Sequence, residues 1–223
     1  MKCLICFTDC DQVVSWHSLG NRQRLGYCAD CEPKLKKLTG LVCPECGRGM
    51  LTGEVCHDCR KRKGKSLSYN RSLYHYDEAC KELLALCKYR YHYHALTPLK
   101  REINHGFLQH YGKLKQATLV PVPVSTERME ERLFNQSALI ASMINRPVLA
   151  LLDKHHTEKQ ALKTRKERLE IANPFYLTKD QSLPKGPIVL IDDVYTTGTT
   201  IHHAANVLKT AGISEIYSFT LAR

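Results

Sequence analysis

The sequence predicts an α/β protein: a mostly parallel sheet, with its binding site at the carboxyl ends of the strands, behind a cysteine-rich metal-binding domain. Three observations predict it. Nine of the eleven cysteines lie between Cys3 and Cys59. Beyond them, short apolar runs alternate with helical spacings. Late in the chain, Ile188–Thr200 (IVLIDDVYTTGTT) joins an apolar run, an acid pair and a Thr/Gly loop. At 223 residues the chain has room for one or two domains. The expected division is 1–66, zinc-binding, and 67–223, α/β.

Four C-x2-C pairs open the chain: Cys3/Cys6, Cys28/Cys31, Cys43/Cys46 and Cys56/Cys59. Two thiolates at this spacing bind one tetrahedral ion from a tight turn, and two such turns close a structural site. Cys43, Cys46, Cys56 and Cys59 are expected to form one zinc ribbon. Pro44 shapes its first turn, and Gly47 lets the backbone fold back toward the sulfurs. Cys3, Cys6, Cys28 and Cys31 are expected to form a second site. A cross-braced pairing of the first and third knuckles, and iron in place of zinc, fit the same spacing. Cys10 is unassigned. Four thiolates leave no open coordination position, which argues against catalytic zinc, and four pairs together argue against a redox C-x-x-C. MKCLICFTDC lacks a secretory h-region, and no apolar run reaches the ~18 residues of a membrane span. A cytoplasmic protein with no membrane span is expected, where paired cysteines bind metal rather than form disulfides.

The formal charge is +11. Each four-thiolate zinc site subtracts two charges, leaving roughly +7, still basic enough to attract nucleic acid or a polyphosphate. Lys34–Lys37 and Arg60–Lys65 concentrate that charge. The second run is a candidate contact for single-stranded DNA (ssDNA) or a solvated linker, and marks the domain boundary under either reading.

Ser72–Tyr76 reads as a strand and Glu78–Tyr89 as a helix. Tyr89–His94 alternates aromatic and basic residues, which suits base stacking or a half-buried helix end. Ala117–Val124 is a strand whose Pro121 and Pro123 mark an end or an edge. Ser125–Asn145 reads as one helix. It carries Arg128 and Arg132 at i, i+4, aimed at the strand's carboxyl end as a candidate diphosphate site. Val148–Leu152 is a strand. Thr157–Asn173 is polar and basic, a candidate lid over an anion or an exposed helix.

Ile188–Ile191 is a buried strand, and Asp192 and Asp193 stand at its carboxyl end, where open α/β sheets bind ligands. Tyr195, Thr196, Thr197, Gly198, Thr199 and Thr200 form a hydroxyl-rich turn before the helix Ile201–Ala211. Strand, Thr/Gly loop and helix in this order make a phosphate cradle. Carboxylates beside it suit a ligand that also offers hydroxyls or a metal, as ribose 5-phosphate does. The stretch resembles the 13-residue signature of type I phosphoribosyltransferases. That resemblance implies Asp192 and Asp193 as catalytic acids on the ribose hydroxyls. It also implies the loop on the 5-phosphate of phosphoribosyl pyrophosphate (PRPP), with magnesium. Ile216–Leu221 is the last strand. No segment after the core supplies a hood for a nucleobase, which argues against base salvage.

Read together, the Cys knuckles, VPVP, R-x3-R-x-FNQ, Q-x4-R-x2-R-x4-NPF and the acid–acid–T-T-G-T-T loop resemble the ComF/ComFC family of competence proteins. Arg128, Arg132, Asn135 and Gln136 match one family motif. Gln160, Arg165, Arg168, Asn173 and Phe175 match another. The family usually has glycine just before FNQ, where this chain has Leu133. The resemblance implies a phosphoribosyltransferase-like fold. It further implies a cytosolic accessory factor of natural transformation that handles ssDNA beside a helicase-type ATPase. An active phosphoribosyltransferase with an unidentified acceptor, and a PRPP sensor, are the alternatives.

Overall fold

The computed structural model describes residues 2–9, 26–62, 64–89, 92–155, 173–178 and 181–223. Four parallel strands form the sheet: β1 (Asn70–Tyr74), β2 (Thr118–Pro121), β5 (Ile188–Val194) and β6 (Ile216–Ala222), ordered β1-β6-β5-β2. A separate antiparallel pair joins β3 (Leu152–Lys154) and β4 (Phe175–Leu177).

β5 is apolar from Ile188 to Ile191 because both faces of the sheet are covered. Its side chains alternate between two cores. Val189 and Ile191 meet α2 (Glu78–Tyr89), α3 (Lys100–Tyr111) and α5 (Gln136–Ser142) on one face. Ile188 and Leu190 meet α6 (Thr199–Thr210) and the β3–β4 pair on the other. On α6, Ile201, Ala204, Ala205 and Leu208 form the buried stripe its spacing predicts. Burying Ile201 and Leu208 contributes about 1.5–3 kcal/mol each.

Both sheet edges are covered, which blocks edge-to-edge pairing. Leu38 N–H donates to Leu73 O (2.7 Å) and His75 N–H to Lys36 O (3.0 Å), so the N-terminal segment lies along β1. At the other edge Leu119 bridges Val148. The strand expected over Val148–Leu152 is thus one parallel bridge followed by β3. β2 ends at Pro121, in line with the missing donors of Pro121 and Pro123.

The single helix expected over Ser125–Asn145 is two helices. α4 (Thr126–Arg132) stops at Leu133, whose φ of 60° and ψ of 6° are left-handed. α5 starts after Asn135, whose Oδ1 accepts from Ser137 N–H (2.8 Å) and Ala138 N–H (3.3 Å). Apolar spacing runs through the break, so periodicity alone misses it. Leu133 occupies the place where the resemblance expects glycine, and its backbone takes the glycine conformation. A left-handed non-glycine residue costs about 1–2 kcal/mol, partly offset by the chain entropy a glycine adds to the unfolded state. The Leu133 side chain is 77% exposed, so little burial is lost on its removal. Leu133→Gly should therefore stabilise the protein by about 0.5–1 kcal/mol. Urea unfolding measures it, and an unchanged or lower midpoint would contradict the assignment of strain.

The span expected as a lid, Thr157–Asn173, lies outside the described residues except for Asn173. Among the described residues no helix is long and apolar enough to cross a membrane.

Candidate functional site

Asp192 and Asp193 are still paired within β5, Asp192 in register with Thr220. Asp192 Oδ1 accepts from Ser137 Oγ (3.0 Å) and from Asp193 N–H (2.9 Å). The Asn135 cap positions that serine. Asn135 Nδ2 also donates to Val122 O (3.0 Å), fixing α5 against the end of β2. Asp193 forms an ion pair with Lys88 of α2, and both side chains are largely buried. Burial first, then the charge of Asp193, pushes the Asp192 carboxyl up to about 7; Asp193 N–H, Ser137 and Lys88 oppose the rise. Lys154 of β3 lies within the fields of Arg128 and Asp192. Burial, then Arg128, holds its ammonium below the usual value. Arg128 itself is exposed on α4. Arg132 closes that helix, and its side chain lies outside the described residues.

The loop turns on Gly198, with φ of 80° and ψ of 2°, at the N-terminus of α6. Thr196, Thr197, Thr199 and Thr200 are exposed, while Tyr195 is 1% exposed beneath them. Thr197 and Thr199 share a hydroxyl–hydroxyl hydrogen bond (2.8 Å). Arg62 Nη1 donates to Tyr195 Oη (3.1 Å), and His202 Nε2 lies 3.1 Å from the same oxygen. Burial, then the charge of Arg62, pushes His202 down to about 4. The neutral imidazole and the Tyr195 hydroxyl share this hydrogen bond, with the donor set by the imidazole tautomer. The site therefore presents carboxylates to a hydroxyl or cation, and a hydroxyl-lined helix N-terminus to an anion, side by side.

The cysteines gather in two groups, Cys3/Cys6/Cys28/Cys31 and Cys43/Cys46/Cys56/Cys59, with the four sulfurs of each within 4.8 Å of one another. This is the sequential pairing, not the cross-braced one. A zinc tetrahedron with ~2.3 Å arms has edges of about 3.8 Å. Cys6 and Cys28 sulfurs are 3.7 Å apart, as are those of Cys46 and Cys56. Backbone N–H groups point at the sulfurs, Cys28 N to Cys3 Sγ (3.4 Å) and Cys56 N to Cys43 Sγ (3.3 Å). At Cys43 burial opposes ionisation, yet the N–H groups of Cys46, Cys56 and Glu45 outweigh it and bring the thiol to about 6. At Cys59 burial, then Cys46, raises the thiol far above its usual value. Each group of four sulfurs could hold one metal ion, and the donor set fits zinc.

Competence protein ComFC of Bacillus subtilis (strain 168) is 39% identical over 228 residues, covering 99% of this chain and 94% of that protein. The chain belongs to the ComFC family. ComFC of Streptococcus pneumoniae is 30% identical over the full length of both chains. Competence protein F of Haemophilus influenzae is 25% identical over 93% of this chain and 95% of that protein. No family model matches the chain.

In this ComFC-family chain several residues around the site carried no signal of their own. Ser137 and Lys88, which contact the two acids, were helix residues without a motif. Arg62 belongs to the basic run read as a candidate DNA contact or a solvated linker, but its guanidinium turns inward: besides Tyr195 it reaches Thr197 O (2.6 Å). Lys65 of the same run pairs with Glu45 (3.1 Å), and Lys63 lies outside the described residues. Asn173 and Phe175 serve packing. Asn173 Nδ2 donates to His203 O (2.7 Å) and its Oδ1 accepts from Phe175 N–H (3.0 Å), tying β4 to α6. Within Tyr89–His94, Arg90 and Tyr91 lie outside the described residues, and the His92 ring packs against Phe7.

Proposed function

We propose that this chain is a competence factor with a zinc-binding region, 1–66, and a phosphoribosyltransferase-like region, 67–223, that binds PRPP with magnesium. Asp192 and Asp193 take the ribose hydroxyls and the ion, Tyr195–Thr200 the 5-phosphate, and Arg128 with Arg132 the pyrophosphate. The same protein binds ssDNA in the cytoplasm beside a helicase-type ATPase during DNA uptake. One observation carries the ligand assignment: the acid pair at the end of β5 adjoins the Gly198 turn and the N-terminus of α6. A ligand spanning both needs hydroxyls or a metal at one end and a phosphate at the other. The role in competence rests on the relatives that share the whole length of the chain. The ssDNA assignment rests on the net charge of +11.

At a hundredfold excess over Kd, PRPP with magnesium stabilises the folded state by about 2.7 kcal/mol. For a chain of this size that is a rise in Tm of about 5–10 °C. Asp192→Ala combined with Asp193→Ala should remove the shift. No shift in the wild type at millimolar PRPP would end the PRPP assignment. Fluorescence anisotropy of labelled ssDNA at two salt concentrations tests the second ligand, with affinity expected to fall steeply with salt. Release of pyrophosphate from PRPP in the same mixtures would instead identify a transferase.

A further inference from the structure

The second cysteine cluster and the phosphate loop share two arginines. Arg223, at the end of β6, donates from Nη1 to Tyr195 O (2.7 Å) and Thr196 O (2.9 Å). Its Nη2 lies 3.0 Å from Cys46 Sγ, and the guanidinium stacks on the Tyr195 ring, 4.6 Å from the centroid. Arg62, three residues after Cys59, donates to Thr197 O (2.6 Å) and Tyr195 Oη (3.1 Å), and its Nη1 lies 3.9 Å from Cys59 Sγ. Two guanidiniums thus hold three consecutive loop carbonyls from one side, and each also touches a sulfur of the same cluster. Among the described residues no peptide bond is cis. In a trans peptide the N–H points opposite to the carbonyl it shares a plane with. Pulling the carbonyls of Tyr195, Thr196 and Thr197 toward the cluster therefore turns the N–H groups of Thr196, Thr197 and Gly198 away from it. That is the side on which an anion meets backbone donors. No such contact reaches the loop from Cys3, Cys6, Cys28 or Cys31 among the described residues.

We propose that Arg62 and Arg223 are positioning residues that make the phosphate loop depend on metal in the Cys43/Cys46/Cys56/Cys59 site and not on metal in the Cys3 site. The ligand named for the loop rests on the function proposed above; the coupling does not. Metal fixes the sulfurs at the corners of a tetrahedron, and the guanidiniums are anchored on two of those corners. Once metal leaves, the sulfurs separate, the arginines lose one end of each bridge, and the loop amides lose their common direction.

The test uses the full chain and reads hydrogen exchange of the amides from Thr196 to Thr200, with zinc content and PRPP binding measured on the same preparations. Cys59→Ser should leave one zinc per chain and speed loop exchange about tenfold. Cys6→Ser should also cost one zinc but leave the loop unchanged. Arg62→Gln with Arg223→Gln should speed the loop by a similar factor with both zincs retained. A merely structural loss would not reproduce the last comparison: adding Cys59→Ser to the double arginine variant should change the loop less than twofold. If Cys59→Ser keeps its full effect in that background, or if Cys6→Ser disturbs the loop equally, the coupling is wrong. Should Cys59→Ser fail to fold, the double arginine variant decides alone, and unchanged exchange there overturns the proposal. If the wild type does not bind PRPP, the ligand assignment fails while the exchange results still decide the coupling.

Discussion

Asp192→Asn is expected to make the ligand-free protein more stable at pH 8 while abolishing its response to PRPP. Burial and the neighbouring Asp193 raise the Asp192 carboxyl from an ordinary 3.8 to about 7. A folded-state value above the unfolded one means that the fold favours the protonated acid. That contribution is complete below about pH 3.8 and is lost as pH rises through about 7. Wild type therefore carries an ionised, poorly solvated carboxylate at pH 8, offset in part by the Ser137 hydroxyl, the Asp193 N–H and the charge of Lys88. Asparagine keeps an oxygen for both donors and never ionises. At about 1.4 kcal/mol per tenfold change the rise sets an upper bound near 4 kcal/mol, and relaxation of the site reduces it to a few. Urea unfolding of both proteins from pH 4 to pH 8 should give curves that meet near pH 4, separate progressively between about pH 4 and pH 7 with wild type falling, and stop separating above about pH 7. Parallel curves would mean that Asp192 ionises in the fold as freely as in the unfolded chain. A carboxylate kept at such a cost suits a cation-bound ligand that pulls it into the ionised form, a trade of stability for binding.

How much of this was legible varied with the range of the interaction. Local patterns read well. Glu78–Tyr89 is a helix over the span its apolar spacing marks, and the Cys pairs assemble in sequence order. The run Ile188–Thr200 becomes strand, acid pair, left-handed turn and helix in that order. The helix and the strand–turn–helix depend on residues a few positions apart, and the Cys groups on pairs whose C-x2-C spacing marks them in the sequence. The break at Leu133 was hidden because leucine disguises a left-handed position that glycine would have announced. The partners of the site were hidden for a different reason. Lys88 lies over a hundred positions from Asp193, and Arg62 reaches Thr197 across 135. No spacing rule couples residues that the parallel sheet alone brings together. The basic run was the instructive case: its composition fits a nucleic-acid contact, yet Arg62 within it is spent holding a loop.

Gly198→Ala should be strongly damaging, and Gly212→Ala supplies its control. Both glycines have positive φ, 80° and 98°, so alanine at either adds backbone strain of about 1–2 kcal/mol. Their surroundings differ. A Cβ on Gly212 meets nothing within 4 Å. A Cβ on Gly198 falls onto the Tyr195 ring, 2.6 Å from Cε1 and closer still to Cζ and the hydroxyl. Tyr195 is buried and cannot swing into solvent without leaving its bonds to Arg62 and His202. Overpacking of this kind adds about 1–3 kcal/mol. The expected losses are therefore about 2–5 kcal/mol for Gly198→Ala and about 1–2 kcal/mol for Gly212→Ala. Guanidinium unfolding measures both, and equal losses would show that the Tyr195 ring yields freely. The ring is also the surface on which Arg223 stacks. Displacing it should free the carbonyls of residues 195–197 and abolish the PRPP-dependent rise in Tm, whereas Gly212→Ala, at the far end of α6, should keep that rise in full.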